Sequence, residues 1–314
     1  MEMKQNMLAA LGCTIAGLAF LPSPAIATFT DPRSSDEDIV VTGNKTTKAE
    51  IADFIRTTIA TPKGGRYDGQ YARFAQAVCP KVVGLSAENK RQVEKRMRGV
   101  AKAADMPVAK EDCKPNVFVM VVSDGNEAVS MVRKKKSRLF GNMPQYERER
   151  IAKSGGPAYA WKRIQASSAE TGALQNSDDT EPLPVLGAAT EVPVMRSNVK
   201  SRIKRTIKQT MTHSFVLLEK DALVDLTTIQ IADYAAMRSY IDTRDNQTDQ
   251  APGYSILALF DSPQTGQKIP NSISEMDLML LSSLYNSPSD VSASMQSAAM
   301  LHRFEKELTS RKED

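Results

Sequence analysis

Residues 78–122 constrain the fold more than any other stretch of this chain. Val78–Leu85 reads as a β segment, and Pro80, which has no amide donor, places it at the edge or end of a sheet. From Ser86 the pattern changes to a helical period. Val93, Met97, Val100, Ala101 and Ala104 fall on one stripe, while Lys90, Arg91, Lys95, Arg96 and Arg98 solvate the remaining surface. Asn116–Val122, NVFVMVV, is almost wholly apolar, as a strand covered on both faces is. Two strands flanking such a helix make a β-α-β unit, because a parallel pair needs a crossover of that length. The expected fold is therefore α/β (mixed α+β): one mixed sheet with a β-α-β unit and several helices packed on it.

The rest of the chain supplies those helices and further strands. Thr47-Lys-Ala-Glu50 has capping-box spacing, and Ile51, Phe54, Ile55 and Ile59 then share a face, which predicts a helix over 47–61. Helices are expected near Asn126–Lys135 and Pro144–Lys153, followed by a strand near Ala158–Ala166. Residues 167–195 have no sustained period and are expected to form a long loop or a lobe boundary. Val199–Gln209 carries both periods, and its Thr and Ile content favours a strand paired with His213–Glu219. Thr227–Asp242 is expected to be a helix, Tyr254–Phe260 a short strand, and two capped helices, starting at Ser274 and near Val291, close the chain. A single domain over 47–310 accommodates all of these.

The N-terminus reads as an export signal. Lys4, an apolar stretch from Met7 to Leu21, the break at Pro22 and Pro24 and the triplet Ala25-Ile-Ala27 follow the order of a secretory signal peptide cleaved after Ala27. Residues 28–46 are mostly polar and are expected to be a flexible leader, preceding a soluble periplasmic or secreted protein with no transmembrane segment. Of the three cysteines Cys13 would leave with the signal, so Cys79 and Cys113 would remain in an oxidising compartment and are expected to form one disulfide. Two buried thiols are the alternative.

Cys79-Pro-Lys-Val-Val-Gly-Leu85, Cys113-Lys-Pro-Asn116, Thr228–Met237 and Ser255–Asp261 together resemble a group of uncharacterised exported proteins of alphaproteobacteria, a likeness that implies export more than activity. The strand Ser214–Leu218 followed by helix 227–242 is also similar to the architecture of zincin-like peptidases. That resemblance stops at the chemistry: a zincin needs H-E-x-x-H, so that two imidazoles one turn apart hold Zn²⁺. Here the helix offers Gln230, Asp233 and Tyr234, and these would line the cleft of a degenerate or zinc-independent hydrolase.

Catalytic and cofactor motifs are otherwise lacking. The whole chain has only His213 and His302, with no nucleophile elbow or phosphate-binding loop, so neither a cofactor nor a metal is expected. Asp242–Asp249 is rich in oxygen ligands yet lacks the glycine and terminal Glu of a calcium loop. Charge is more informative. The formal net charge is only +4, but Arg133, Lys134, Lys135, Lys136 and Arg138 crowd into six residues, and a second run contains Lys200, Arg202, Lys204, Arg205 and Lys208. As a strand, the second run would present a cationic row on one face. Both rows suit phosphates or carboxylates of an anionic envelope component, or a protein partner. Solvated edges are the alternative, since lysine also protects exposed strands. Nucleic acid is an unsuitable partner for an exported chain whose basic runs lack interleaved aromatic residues. The leading expectation is a non-catalytic binding or interaction protein.

Overall fold

The computed structural model describes residues 47–61, 69–175, 180–185, 188–193, 201–244, 251–261 and 268–310. The expected signal peptide (1–27) and leader (28–46) lie outside the described residues. In chain order the elements are α1 (Lys48–Thr58), β1 (Arg73–Phe74), β2 (Pro80–Val83), α2 (Ala87–Ala103), β3 (Val117–Val122), α3 (Gly125–Lys135), α4 (Gln145–Lys153), β4 (Ala158–Ser168), β5 (Thr180–Val185), β6 (Ala188–Pro193), β7 (Ile207–Glu219), α5 (Thr228–Tyr240), α6 (Glu275–Tyr285) and α7 (Ala293–Ser310). Short 3-10 turns occupy Ser137–Phe140, Lys220–Leu223 and Ile256–Phe260.

The β-α-β unit forms as its residue pattern requires. β2 pairs parallel with β3, Pro80 opposite Val117 through Val83 opposite Met120, and α2 connects them. Ser86 caps α2 by accepting from the Asn89 amide at 3.2 Å. The stripe Val93, Met97, Val100, Ala101 and Ala104 is buried throughout. β2 is the edge strand, which accommodates Pro80. Where β2 ends, Gly84 has φ +92°, and a Cβ there would sit 2.3 Å from the Val121 carbonyl oxygen; only glycine fits this close approach of two strands. Cys79 and Cys113 are joined by a disulfide with their Cα atoms 6.1 Å apart. The Asn116 side chain fastens the same corner, accepting from the Cys79 amide at 2.8 Å and donating to the Ala77 carbonyl at 3.1 Å.

β7 is the strand on which the sheet is assembled. Along one side it pairs antiparallel with β4, from Ala158 opposite Leu218 to Ser168 opposite Ile207. Along the other side it pairs parallel with β1 at Thr210 and Met211, then with β3 from Ser214 to Glu219. The fold is thus mixed α/β, with a mainly parallel sheet closed on one side by an antiparallel strand. A bulge interrupts the β4–β7 ladder: Arg163 opposes His213 and Ile164 opposes Met211, leaving Thr212 as the extra residue. The Thr212 hydroxyl donates to the Arg163 carbonyl at 3.1 Å. β5 and β6 form a separate two-stranded antiparallel sheet within the aperiodic stretch 167–195.

Helices cover both faces. On one face Val82, Val117, Val119, Val216 and Leu218 join the main core with α1, α2, α5, α6 and α7. On the other, Tyr159, Trp161, Phe215 and Leu217 pack beneath Val129 of α3 and Ile151 of α4. α5 is the most deeply placed helix. Its capping box runs between Thr227 and Gln230, and Ala232, Ala235 and Ala236 are fully buried beside α2. There the Tyr240 hydroxyl donates to the Met97 carbonyl at 3.0 Å.

Two expected strands depart from expectation. Of the strand expected over 199–209, residues 199–200 lie outside the described residues, 201–206 are not strand, and 207–209 continue into the same strand as His213–Glu219 instead of pairing with it. The Ser201 hydroxyl takes the amides of Ile203 (3.2 Å) and Lys204 (3.0 Å), and the Arg205 amide donates to the Asp290 carbonyl at 2.5 Å, so the preceding residues bend instead of pairing. The strand expected over 254–260 is a 3-10 turn. Buried Asp277 dictates this: it accepts from the Ser255 hydroxyl at 2.6 Å and the Ile256 amide at 2.9 Å, which removes that backbone from any ladder.

Candidate functional site

The first basic run lies where α3 ends. Asp124 starts the helix by accepting from the Glu127 amide at 2.7 Å. Gly125 passes so close beneath Tyr159 that a Cβ would meet its ring at 2.1 Å. From that anchor the helical period turns Val129 into the second core, with Ala128 and Val132 packed against it. Met131, Lys134 and Lys135, at i, i+3 and i+4, are left on the exposed face. The Lys136 amide closes the last turn on the Val132 carbonyl at 2.8 Å, and the chain enters the turn Ser137–Phe140. Phe140 is fully buried and stacks on Trp161 with ring centroids 5.0 Å apart. The segment is therefore anchored by Val129 and Val132 before it and by Phe140 after it. Lys134, Lys135, Lys136, Arg138 and Leu139 between those anchors are all exposed.

Arg133 approaches Glu149 of α4 at 3.9 Å. Among the described residues, none of Lys134, Lys135, Lys136 and Arg138 has a carboxylate within ion-pair distance. Part of this charge answers the partial negative charge at the helix C-terminus, a demand of about half an elementary charge. The remainder is unbalanced locally.

The second basic run does not form a face. Lys200 lies outside the described residues, and Arg202 is exposed in the bend ahead of β7. Lys204 approaches Asp290 at 3.8 Å, while Arg205 is tied to the same residue through its backbone. Lys208 alone stands on the strand, opposite Ser167. A cationic row over Arg202, Lys204 and Lys208 would need a strand over 202–206, where the bonds of the Ser201 hydroxyl and the Asp290 carbonyl hold the chain in a bend.

The helix likened to that of zincins uses its polar side chains inside the fold. Asp233 is completely buried; its carboxylate takes Arg96 Nε at 2.7 Å, a second Arg96 nitrogen at 3.0 Å and the Ile273 amide at 2.8 Å. Gln230 accepts from the Thr227 amide at 3.0 Å and donates to the Pro270 carbonyl at 2.9 Å. Tyr234 meets Phe260 edge-on at 4.7 Å and borders a cavity of about 260 Å³ between α1, β4 and α5. Neither Gln230 nor Asp233 lines it. Its charged lining residues are Arg238, Arg244 and Asp261. Arg244 donates to the Ile59 carbonyl at 3.0 Å, and Asp261 accepts from the Ala251 amide at 3.1 Å, so these groups tie neighbouring segments together. Burial pushes the Asp261 carboxyl above its ordinary range.

His213 belongs to an aromatic row on the sheet. Its ring stacks 6.5 Å from Phe118 and 6.3 Å from Phe215, and Phe215 in turn stacks 5.2 Å from Trp161. Burial, reinforced by the cations Arg163 and Lys114, holds His213 below the usual histidine range, so it is neutral at pH 7.

Sequence reasoning located the basic segment but passed over Met131 and Leu139, which are exposed within it, and it placed Arg96 on the solvated face of α2, whereas Arg96 is the partner of buried Asp233. Met131 had a signal: its spacing to Lys134 and Lys135 puts it on their face. The chain matches no protein-family model, no curated protein and no solved structure.

Proposed function

We propose that this is an exported, non-catalytic interaction protein that engages an anionic component of the cell envelope through Arg133–Arg138. The observation that carries the reading is the display of Lys134, Lys135, Lys136 and Arg138 on the surface without carboxylate partners, between two buried anchors. Cations clustered in this way make a local positive potential that a net charge of +4 does not reveal. Lys136 is the C-cap residue of α3 and Arg138 lies two residues beyond it, so the end of the helix, with Arg133, Lys134 and Lys135 already in its last turn, does not need all of these cations. Interaction is favoured over hydrolysis because Asp233 and Gln230 are committed to structural bonds. Export is supported by the order of residues 1–27 and by the disulfide, which is at home in an oxidising compartment.

The test is retention of the purified protein on dextran sulfate and on its own envelope fraction. Retention should fall steeply as salt rises from low to physiological ionic strength. Reversal of three charges, Lys134→Glu, Lys135→Glu and Lys136→Glu, should abolish it, whereas Lys204→Glu, already beside Asp290, should reduce it much less. Unchanged retention in the triple variant would overturn the proposal.

A further inference from the structure

The basic segment is not purely basic. Met131 is 49% exposed and Leu139 is 36% exposed, and both lie among its cations. Met131 shares a helical face with Lys134 and Lys135. Leu139 is turned outward by its neighbour Phe140, whose burial against Trp161 fixes the orientation of the 3-10 turn. The segment thus carries two exposed apolar side chains interspersed in sequence with exposed Lys134, Lys135, Lys136 and Arg138. A soluble polyanion has no use for exposed Met and Leu. An anionic bilayer meets both requirements, since headgroup phosphates take the cations and the boundary with the acyl chains takes the apolar tips.

We infer that the end of α3 and the turn after it form a peripheral docking face for an anionic lipid bilayer, with Met131 and Leu139 entering the interface and the four cations meeting headgroups. This rests on the reading of Arg133–Arg138 as the binding segment and names its partner. Among the described residues no helix is long and apolar enough to cross a membrane. The two anchors give the face its rigidity: Phe140 and Val129 are fully buried, so the loop need not be ordered on binding.

Co-sedimentation of the purified protein with vesicles tests this. Vesicles of phosphatidylcholine containing one third phosphatidylglycerol should bind it, and phosphatidylcholine alone should not. The triple charge reversal should weaken binding by about 100-fold, at about fivefold per cation. The double variant Met131→Ser, Leu139→Ser should weaken vesicle binding by about tenfold while leaving retention on dextran sulfate unchanged. Near-ultraviolet circular dichroism establishes that each variant stays folded, as expected for exposed positions. Undiminished vesicle binding by the double serine variant would overturn the docking face. Salt-sensitive retention on dextran sulfate without vesicle binding would overturn the bilayer and leave the proposed function standing. Loss of both would overturn both.

Discussion

His213 illustrates how one side chain can look catalytic in a sequence and be structural in the fold. Beside Ser214 it invites comparison with a catalytic dyad, yet Ser214 is buried on the opposite face of β7 while the imidazole lies in a row of rings. Because burial lowers the pKa of this histidine, the unfolded chain binds its proton more readily than the folded one. Stability contributed by the neutral ring is therefore fully present above the unfolded pKa of about 6.5 and is lost as pH falls toward the depressed folded value. Replacing His213 with Phe keeps the stack and removes the titration. Urea denaturation at pH 7.5 and at pH 5.5 checks this: wild type should lose more stability between the two than His213→Phe, and an equal loss in both would contradict it.

At the scale of elements, α2 and α5 are joined through Asp233 and Arg96. Asp233, the fully buried member of this bidentate pair, also accepts from the buried Ile273 amide, so removing its carboxylate unties Arg96 and leaves that amide without its acceptor. Asp233→Ala should cost about 1–3 kcal/mol in urea denaturation, since the buried Ile273 amide loses its acceptor while Arg96, 29% exposed, still reaches solvent. A variant of wild-type stability would return Asp233 to the candidates for chemistry. Legibility followed periodicity here. The core stripe of α2 could be read from its period, since Val93, Met97, Val100, Ala101 and Ala104 are all core, but the period also put Arg96 among the solvated cations although it reaches buried Asp233. α5 could be located, but it is buried on nearly all sides, so no solvated face distinguished Asp233 as a core residue from Asp233 as a cleft residue. β7 was harder still. The bulge at Thr212 lets Met211 enter the main core while His213 stacks on the opposite face, although strict alternation would put both on one side. The expected strand upstream of it failed for a similar reason: the bonds made by the Ser201 hydroxyl and by Asp290 are invisible to any period. The basic site was legible as charge, whereas its apolar members became meaningful only once Phe140 was seen to be buried.

For the molecule as a whole, the disulfide and the central strand govern how the parts hold together. Cys79 and Cys113 are 34 positions apart and enclose α2, so the bond restrains the whole crossover in the unfolded chain. Replacing both with Ala should lower the unfolding free energy by about 3–4 kcal/mol in the chain-entropy model. Thermal or urea unfolding of the variant checks this, and a change under about 1 kcal/mol would show that the bond adds little restraint to the unfolded chain. β7 has a consequence of a different kind, one of timing. Three strands from residues 73–74, 117–122 and 158–168 all await a partner that arrives at residues 207–219. A chain delivered from its N-terminus can form the crossover early, but β1 and β4 stay unpaired until two thirds of the polypeptide has emerged. Such an order of events makes closure of the sheet a late step, set by when residues 207–219 become available to β1 and β4.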